Sequence, residues 1–410
     1  MKTPRRKLWL WACTWAIAWI GLIQPGITEA RVRLITMPPR ERVEVQLDHA
    51  DATLVEEERI VPLTEGVNQI DFVWAGTKID PGTIVFRVLG SADEDVEMNV
   101  NVLSVSYPPG ENALVWHVNS DQAGSAVVRI SYLLGGLDKS FNYRAVAEQD
   151  ESTLTLSQYV RVRNLAGEAF GDTDIYVGVG DVLNRPIGTQ ETREMLVERY
   201  EEVPIQKTFT ANFAEFGYID EPQRQLRIPM HYVLTNDADN NLGRSPLPYG
   251  KARIFQKDGG GSTAFLGEDW GQFTPVDDEM KLYLGVARDV VVRRRILSRE
   301  TDRVAGNLAH YDVVVQYEIE NFRDQPTQLN VIEQINHVRN EANIPSNWAP
   351  EWVVGQQTTF ANNPDEDLTN HEEVGFVVDL PPREGDEAET ITHTLHLQYR
   401  NERFTQGGLR

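Results

Sequence analysis

Residues 311–320 read Tyr-Asp-Val-Val-Val-Gln-Tyr-Glu-Ile-Glu. Tyr311, Val313, Val315, Tyr317 and Ile319 alternate with Asp312, Gln316, Glu318 and Glu320, and Val314 is the one exception. Successive side chains of an extended chain point to opposite faces, so this period sends the first set into a core and most of the second into water. Leu154, Leu156, Val160 and Val162 alternate in the same way with Thr153, Thr155, Ser157, Tyr159 and Arg161. Leu395, Leu397 and Tyr399 do so with His396, Gln398 and Arg400. One-sided alternation belongs to antiparallel sheets with one solvated face, as in sandwiches. The expected class is all-β: two or three antiparallel β-sandwich-like domains in tandem, with little helix.

Turn chemistry agrees. Lys257-Asp258-Gly259-Gly260-Gly261-Ser262 stands between Ile254-Phe255 and Phe265-Leu266, which predicts a hairpin loop. A phosphate-cradling loop would need a helix to follow, and the next residues look like strand. Residues 191–202 (ETREMLVERYEE) suggest three helical turns with Leu196 and Tyr200 on one side. Tyr107-Pro108-Pro109-Gly110 and the polar stretch 236–243 read as breaks. They divide the chain into an N-terminal β-module (31–108), a middle β-domain (109–240) and a C-terminal β-sandwich-like domain (241–410). The last two blocks packing as one unit is the alternative.

Residues 1–30 read as a cleavable export signal. Lys2, Arg5, Arg6 and Lys7 precede 16 uncharged, mostly apolar residues from Leu8 to Ile23. Gln24, Pro25 and Gly26 break any helix, and Thr28-Glu29-Ala30 offers small residues at the −3 and −1 positions. Sixteen residues is short for a membrane-spanning helix, which needs about 20. Cys13, the only cysteine, lies inside this leader. The expected mature chain therefore has no disulfide and no thiolate metal site. The leader also holds four of the 39 Lys and Arg and one of the 62 Asp and Glu, leaving 35 against 61 and a formal charge of −26. That excess opposes nucleic-acid binding, which is driven by neutralising phosphates, and docking on anionic membranes. The expected location is periplasmic or extracellular, with no membrane segment after cleavage.

Several short stretches occur in an order that resembles a known family. Leu63-Thr64-Glu65-Gly66-Val67-Asn68 is followed by Phe72-Val73-Trp74 and Ile79-Asp80-Pro81. Ser131-Tyr132, Phe141-Asn142-Tyr143 and Val162-Arg163-Asn164 come next. Leu247-Pro248-Tyr249-Gly250-Lys251-Ala252-Arg253-Ile254-Phe255, Phe265-Leu266-Gly267-Glu268 and Leu284-Gly285-Val286-Ala287-Arg288-Asp289-Val290 continue the series, with Pro345-Ser346-Asn347-Trp348 and Tyr399 near the end. This order resembles the bacterial "domain of unknown function 4139", or mucoidy-inhibitor-like, proteins. It departs from them in lacking a coiled-coil insertion and in having Phe141 and Phe170 where Trp is expected. The resemblance implies an exported β-protein of the cell envelope and carries over no catalytic residue.

Motifs for chemistry are sparse. His393 and His396 point to opposite faces of a strand and cannot chelate one ion together. His371-Glu372 lacks the second His and the helix of a zinc-protease motif. No G-x-S-x-G elbow occurs. Asp237, Asp239 and Asn241 offer oxygen ligands at alternate positions, as a calcium loop does. Gly243 comes one place late and Pro248 stands where the bidentate Glu belongs, so this is no EF-hand. A weakly bound calcium ion there is the one cofactor suggested, and a solvated turn is the competing reading. Asn363-Pro364-Asp365-Glu366-Asp367 is a second acidic loop of the same kind. Trp348 and Trp352 are the candidate binding residues, as a stacking surface for a sugar or a protein partner, against a loop pinned to the core by its indoles. Arg293-Arg294-Arg295 reads as a charged edge strand.

The function expected is a non-enzymatic cell-envelope or extracellular binding protein with a protein or glycan partner. A hydrolase of envelope or extracellular polymer acting through carboxylates, and a structural subunit of an envelope assembly, are the alternatives. A groove holding two close carboxylates would favour the hydrolase.

Overall fold

The strand that contains residues 311–320 is Leu308–Asn321, and its burial alternates along its length. It sits inside a six-stranded sheet, between Val290–Ala305 and Thr390–Arg403. The structure is a computed structural model that describes residues 33–49, 52–93, 95–345, 351–360, 364–385 and 388–403. The expected leader, residues 1–30, lies outside the described residues. Among those described, strands dominate, and the α-helices are Phe213–Phe216 and Ile335–Glu341. The protein is all-β. No helix of the described residues is long and apolar enough to cross a membrane.

The chain divides into two compact units that are interleaved in sequence. Among the described residues the smaller comprises 33–39, Arg59–Ala75 and Arg87–Val128. Its sheet runs in the order Arg33–Thr36, Gly66–Val73, Ala113–Ser120, Val100–Ser106. Ile70, Phe72, Leu114, Trp116 and Val118 form its interior, with the Phe72 and Trp116 rings 5.6 Å apart. The Leu63–Asn68 stretch is a turn locked by one buried amide. Asn68 accepts from the Thr64 amide at 2.9 Å and donates to the Thr64 carbonyl at 2.8 Å, while Gly66 takes φ of +88°. Tyr107–Gly110, expected to end a domain, is the turn between two paired strands of this unit.

Among the described residues the larger unit comprises Arg40–Glu58, Gly76–Phe86 and 129–403. One of its sheets has the order Thr192–Pro204, Thr153–Asn164, Leu137–Ala147, Gly250–Lys257, Thr263–Gly271. A second runs Glu279–Val286, Pro229–Thr235, Gln206–Asn212, Thr327–Gln334, Glu373–Leu380. The six-stranded sheet that contains Leu308–Asn321 is the third. The second sheet serves two cores. Tyr232, Leu234, Met280 and Leu282 pack with Leu154, Leu156, Tyr143 and Ile254 of the first sheet. Phe209, Leu329, Val331 and Phe376 pack with Val313, Val315, Tyr317, Leu395 and Leu397 of the third. Strands from either side of residue 240 pair with each other within this unit. The polar stretch 236–243 is a turn organised by fully buried Asn236, whose amide donates to the carbonyls of Ser245, Thr274 and Pro275.

Three expectations need correction. The two five-stranded sheets are mixed: Leu137–Ala147 pairs parallel with Gly250–Lys257, and Gln206–Asn212 with Thr327–Gln334. Parallel partners are joined by long crossovers that no periodicity within a strand encodes. Residues 192–204 are a strand, not a helix, because they pair with Thr153–Asn164 along its whole length, with two register shifts. Those shifts break the period-2 pattern and leave a false helical spacing, with Met195, Tyr200 and Val203 buried. Arg293–Arg295 is not an edge: Val290–Ala305 lies between Gln225–Leu226 and Leu308–Asn321. The predicted hairpin at Lys257–Ser262 does form, closed by the Asp258 carboxylate on the amides of Gly260 and Ser262 at 2.9 and 3.0 Å.

Candidate functional site

The outer face of the six-stranded sheet carries a groove of about 840 Å³. Val314, the residue that broke the alternation, lies in its floor beside Val353 and Val354. Val314 is flanked across the ladder by Ser298 and His396, and the next row reads Glu300, Asp312, Gln398, Val353. One wall is the strand Glu351–Val354 and its extension through Gly355, Gln356 and Gln357. That extension is tied to Thr390–Arg403 by the Gly355 amide on the His396 carbonyl at 2.8 Å and the Thr359 amide on the Thr394 carbonyl at 2.9 Å. A Cβ on Gly355 would lie 3.0 Å from that of His396, so glycine permits the close approach.

A β-bulge aims the acidic side of the groove. Between Ile296 and Ser298 the register of Val290–Ala305 slips against its partner. Val292, Arg294 and Ile296 face the core before the slip, and the exposed Arg299 lies on the same side of the sheet afterwards, over the Tyr311 ring. Ser298 and Glu300 therefore reach the groove instead of the interior. Glu300 stands directly opposite Asp312. Directly opposed Cβ atoms are about 5 Å apart, and like charges in that relation repel. Asp312 accepts a hydrogen bond from Gln398 Nε2 at 3.0 Å, and Gln398 Oε1 accepts one from Arg400 at 2.8 Å. The side chains of Glu300, Ser298, Gln356, Gln357 and the His396 ring make no hydrogen bond or ion pair with the described residues. Amide, hydroxyl and carboxylate groups thus point into a concave surface with an apolar floor.

A buried ion pair holds the strands beneath. Arg294 is fully buried, with both Nε and Nη2 on the Glu333 carboxylate, Nη1 on Glu341 at 2.7 Å and the Phe213 ring 4.6 Å away. The Tyr317 hydroxyl donates to the same Glu333 oxygen. Burial opposes the charge on Arg294, but Glu333, then Tyr317 and Glu341, outweigh it and raise the guanidinium above its ordinary pKa. Burial first, then the charge of Glu333, pushes the Tyr317 phenol upward. Arg293 and Arg295 point outward to Glu320 and Glu318, at 3.0 and 3.1 Å.

The residues singled out from sequence fall elsewhere. Asp237 is occupied by Asn240, whose backbone and side-chain nitrogens it accepts at 2.8 Å. Asn241 donates to the Glu202 carbonyl at 2.9 Å, and Asp239 is exposed. Among the described residues, no group of three or more His, Cys, Asp and Glu side chains is placed to hold a metal ion. Trp348 lies outside the described residues. Trp352 turns away from the groove: it packs against the core, and its Nε1 donates to the His371 carbonyl at 3.1 Å. The strand that bears it forms the wall, and its neighbour Val353 faces the groove. Sequence reasoning missed the groove, although Val314 was its one visible mark. No protein-family model matches the chain. No curated protein matches it either.

Proposed function

We propose that the protein is a non-enzymatic binding protein of the cell envelope or extracellular space, and that its groove takes an uncharged glycan segment. The observation that carries this reading is the set of side chains left without partners around Val314. Gln356 and Gln357 each offer a donor and an acceptor, as a sugar hydroxyl requires. Glu300 accepts only, and Val314 and Val353 suit the C–H face of a ring. The export part of the proposal rests on residues 1–30 and on the resemblance described above. The test is a glycan array followed by calorimetry, using the wild type, Gln398→Ala and Glu300→Ala. Binding of a neutral oligosaccharide that weakens about tenfold in either variant is expected, the loss of one or two hydrogen bonds. Equal affinity in both variants would remove the groove from the reading.

A second reading has its own observation. Glu300 and Asp312 are paired carboxylates in a groove, the arrangement from which glycosidases build an acid and a nucleophile or base. Binding without release of new reducing ends is expected of the wild type. Release that disappears in Glu300→Gln, with binding kept, would make the protein a hydrolase.

A further inference from the structure

The first sheet of the larger unit turns one face to its core, through Tyr143, Ala145, Leu154, Leu156, Ala252 and Ile254. Alternation assigns the opposite face to Arg144, Lys251, Arg253, Glu268 and Trp270. Register sets Arg144 beside Arg253, Arg253 opposite Glu268, and Lys251 opposite Trp270. Glu268 is the one acid among the three cations: it pairs with Lys251 at 2.6 Å and with Arg253 at 3.0 Å. These contacts hold the Glu268 carboxyl below its ordinary pKa, the Lys251 hydrogen bond first. Arg144 makes no ion pair with the described residues, and its guanidinium lies 5.1 Å from the Phe255 ring centre. Trp270 is 47 % exposed and stacks on Tyr249, with centroids 5.1 Å apart and planes 4° apart.

Two arginines side by side on neighbouring strands repel each other, yet here they share one exposed face of a strongly acidic chain. We propose that this face binds an acidic polysaccharide, with Arg144, Lys251 and Arg253 meeting its anionic groups and the Tyr249–Trp270 pair lying against a sugar ring. The site is separate from the groove and does not depend on the groove's ligand. Charge complementarity selects an anion, and the form of the site selects the polymer. Arg144 and Arg253 stand on neighbouring strands about 4.8 Å apart, and Lys251 lies two residues along the strand from Arg253, about 6.6 Å, so the cations are spaced at roughly the length of one pyranose unit. Glu268 takes up part of their charge, which leaves a face for a sparse row of anions and not for a phosphate backbone. The net negative charge of the chain opposes nucleic acid and anionic bilayers at longer range.

The test is binding of the whole mature protein to polygalacturonate, dextran sulfate, neutral dextran, a DNA duplex and anionic phospholipid vesicles. Binding to polygalacturonate, weakening as salt is added, is expected, with neutral dextran ignored. Dextran sulfate bound as well would mean that charge alone is read, and its absence that carboxylates are preferred; either keeps the site. Arg144→Glu should weaken binding about tenfold, and Arg144→Gln by less, because truncating a charge contact costs less than reversing it. Trp270→Ala should weaken binding without altering its salt dependence. Gln398→Ala, in the groove, should leave it unchanged, so failure of the groove reading and failure here are separable. Circular dichroism of each variant confirms the fold. Unchanged affinity in folded Arg144→Glu and Trp270→Ala, equal binding of neutral dextran, or preference for DNA or vesicles would each overturn the proposal.

Discussion

Replacing Glu333 by leucine should cost the protein about 4 kcal/mol. The Glu333 carboxylate accepts twice from Arg294 and once from Tyr317, and the Arg294 and Tyr317 side chains are fully buried. Leucine fills similar space but leaves the guanidinium with only Glu341, and the phenol with no acceptor. Breaking a buried pair from one side costs about 3–5 kcal/mol, and an orphaned buried hydroxyl about 1–3. Glu341 stays within 2.7 Å of Arg294 and Phe213 stays beside it, which keeps the sum near the middle of the first range. Urea denaturation at neutral pH, followed by tryptophan fluorescence, reads the loss as a lower midpoint at constant slope. The triple variant Arg294→Met, Glu333→Leu, Tyr317→Phe removes the buried members together, leaves the partly exposed Glu341 with Arg224, and should recover most of the stability. A loss below about 1 kcal/mol in Glu333→Leu, or a triple variant as unstable as the single changes combined, would refute the argument that the charge is held by its partners.

Further predictions concern the groove, pH and processing. Deleting Leu297 removes the extra residue of the bulge but leaves Ser298 and Glu300 opposite Val314 and Asp312, so glycan binding should be kept; a folded deletion variant that no longer binds would show that the bulge itself shapes the groove. Asn236→Ala removes the donor to the Ser245 and Pro275 carbonyls and the acceptor of the Gly243 amide, while the Thr274 carbonyl keeps the Leu247 amide, and should cost about 3 kcal/mol by the same denaturation assay. Burial lowers the pKa of His231 below its usual 6.5, while Asp269 raises it and Lys281 lowers it. Its contribution to stability is present above pH 6.5 and is lost as pH falls through the depressed value. An NMR titration should find its midpoint below 6.5 and lower still in Asp269→Asn. Mass spectrometry of the protein from its own cells should find Arg31 as the first residue; Met1 in its place would withdraw the export proposal.

The strand around Tyr311–Glu320 was legible because its alternation records a local property, which face of one extended segment meets water. The Asp258 hairpin was legible for the same reason, since its glycines and aspartate act within one turn. Residues 192–204 were misread because their two register slips answer a neighbouring strand and not their own periodicity.

The sequence by itself determined that the chain is all-β, and it marked Val314 as out of place on a solvent face. Only the tertiary structure decided what that valine is for. The slip at Leu297, the parallel pairings and the burial of Arg294 between two charged neighbours join residues tens to hundreds of positions apart. Side-chain direction follows from backbone pairing, and pairing is settled by which distant strands pack together, so the groove leaves only Val314 as a local mark and the basic face leaves none.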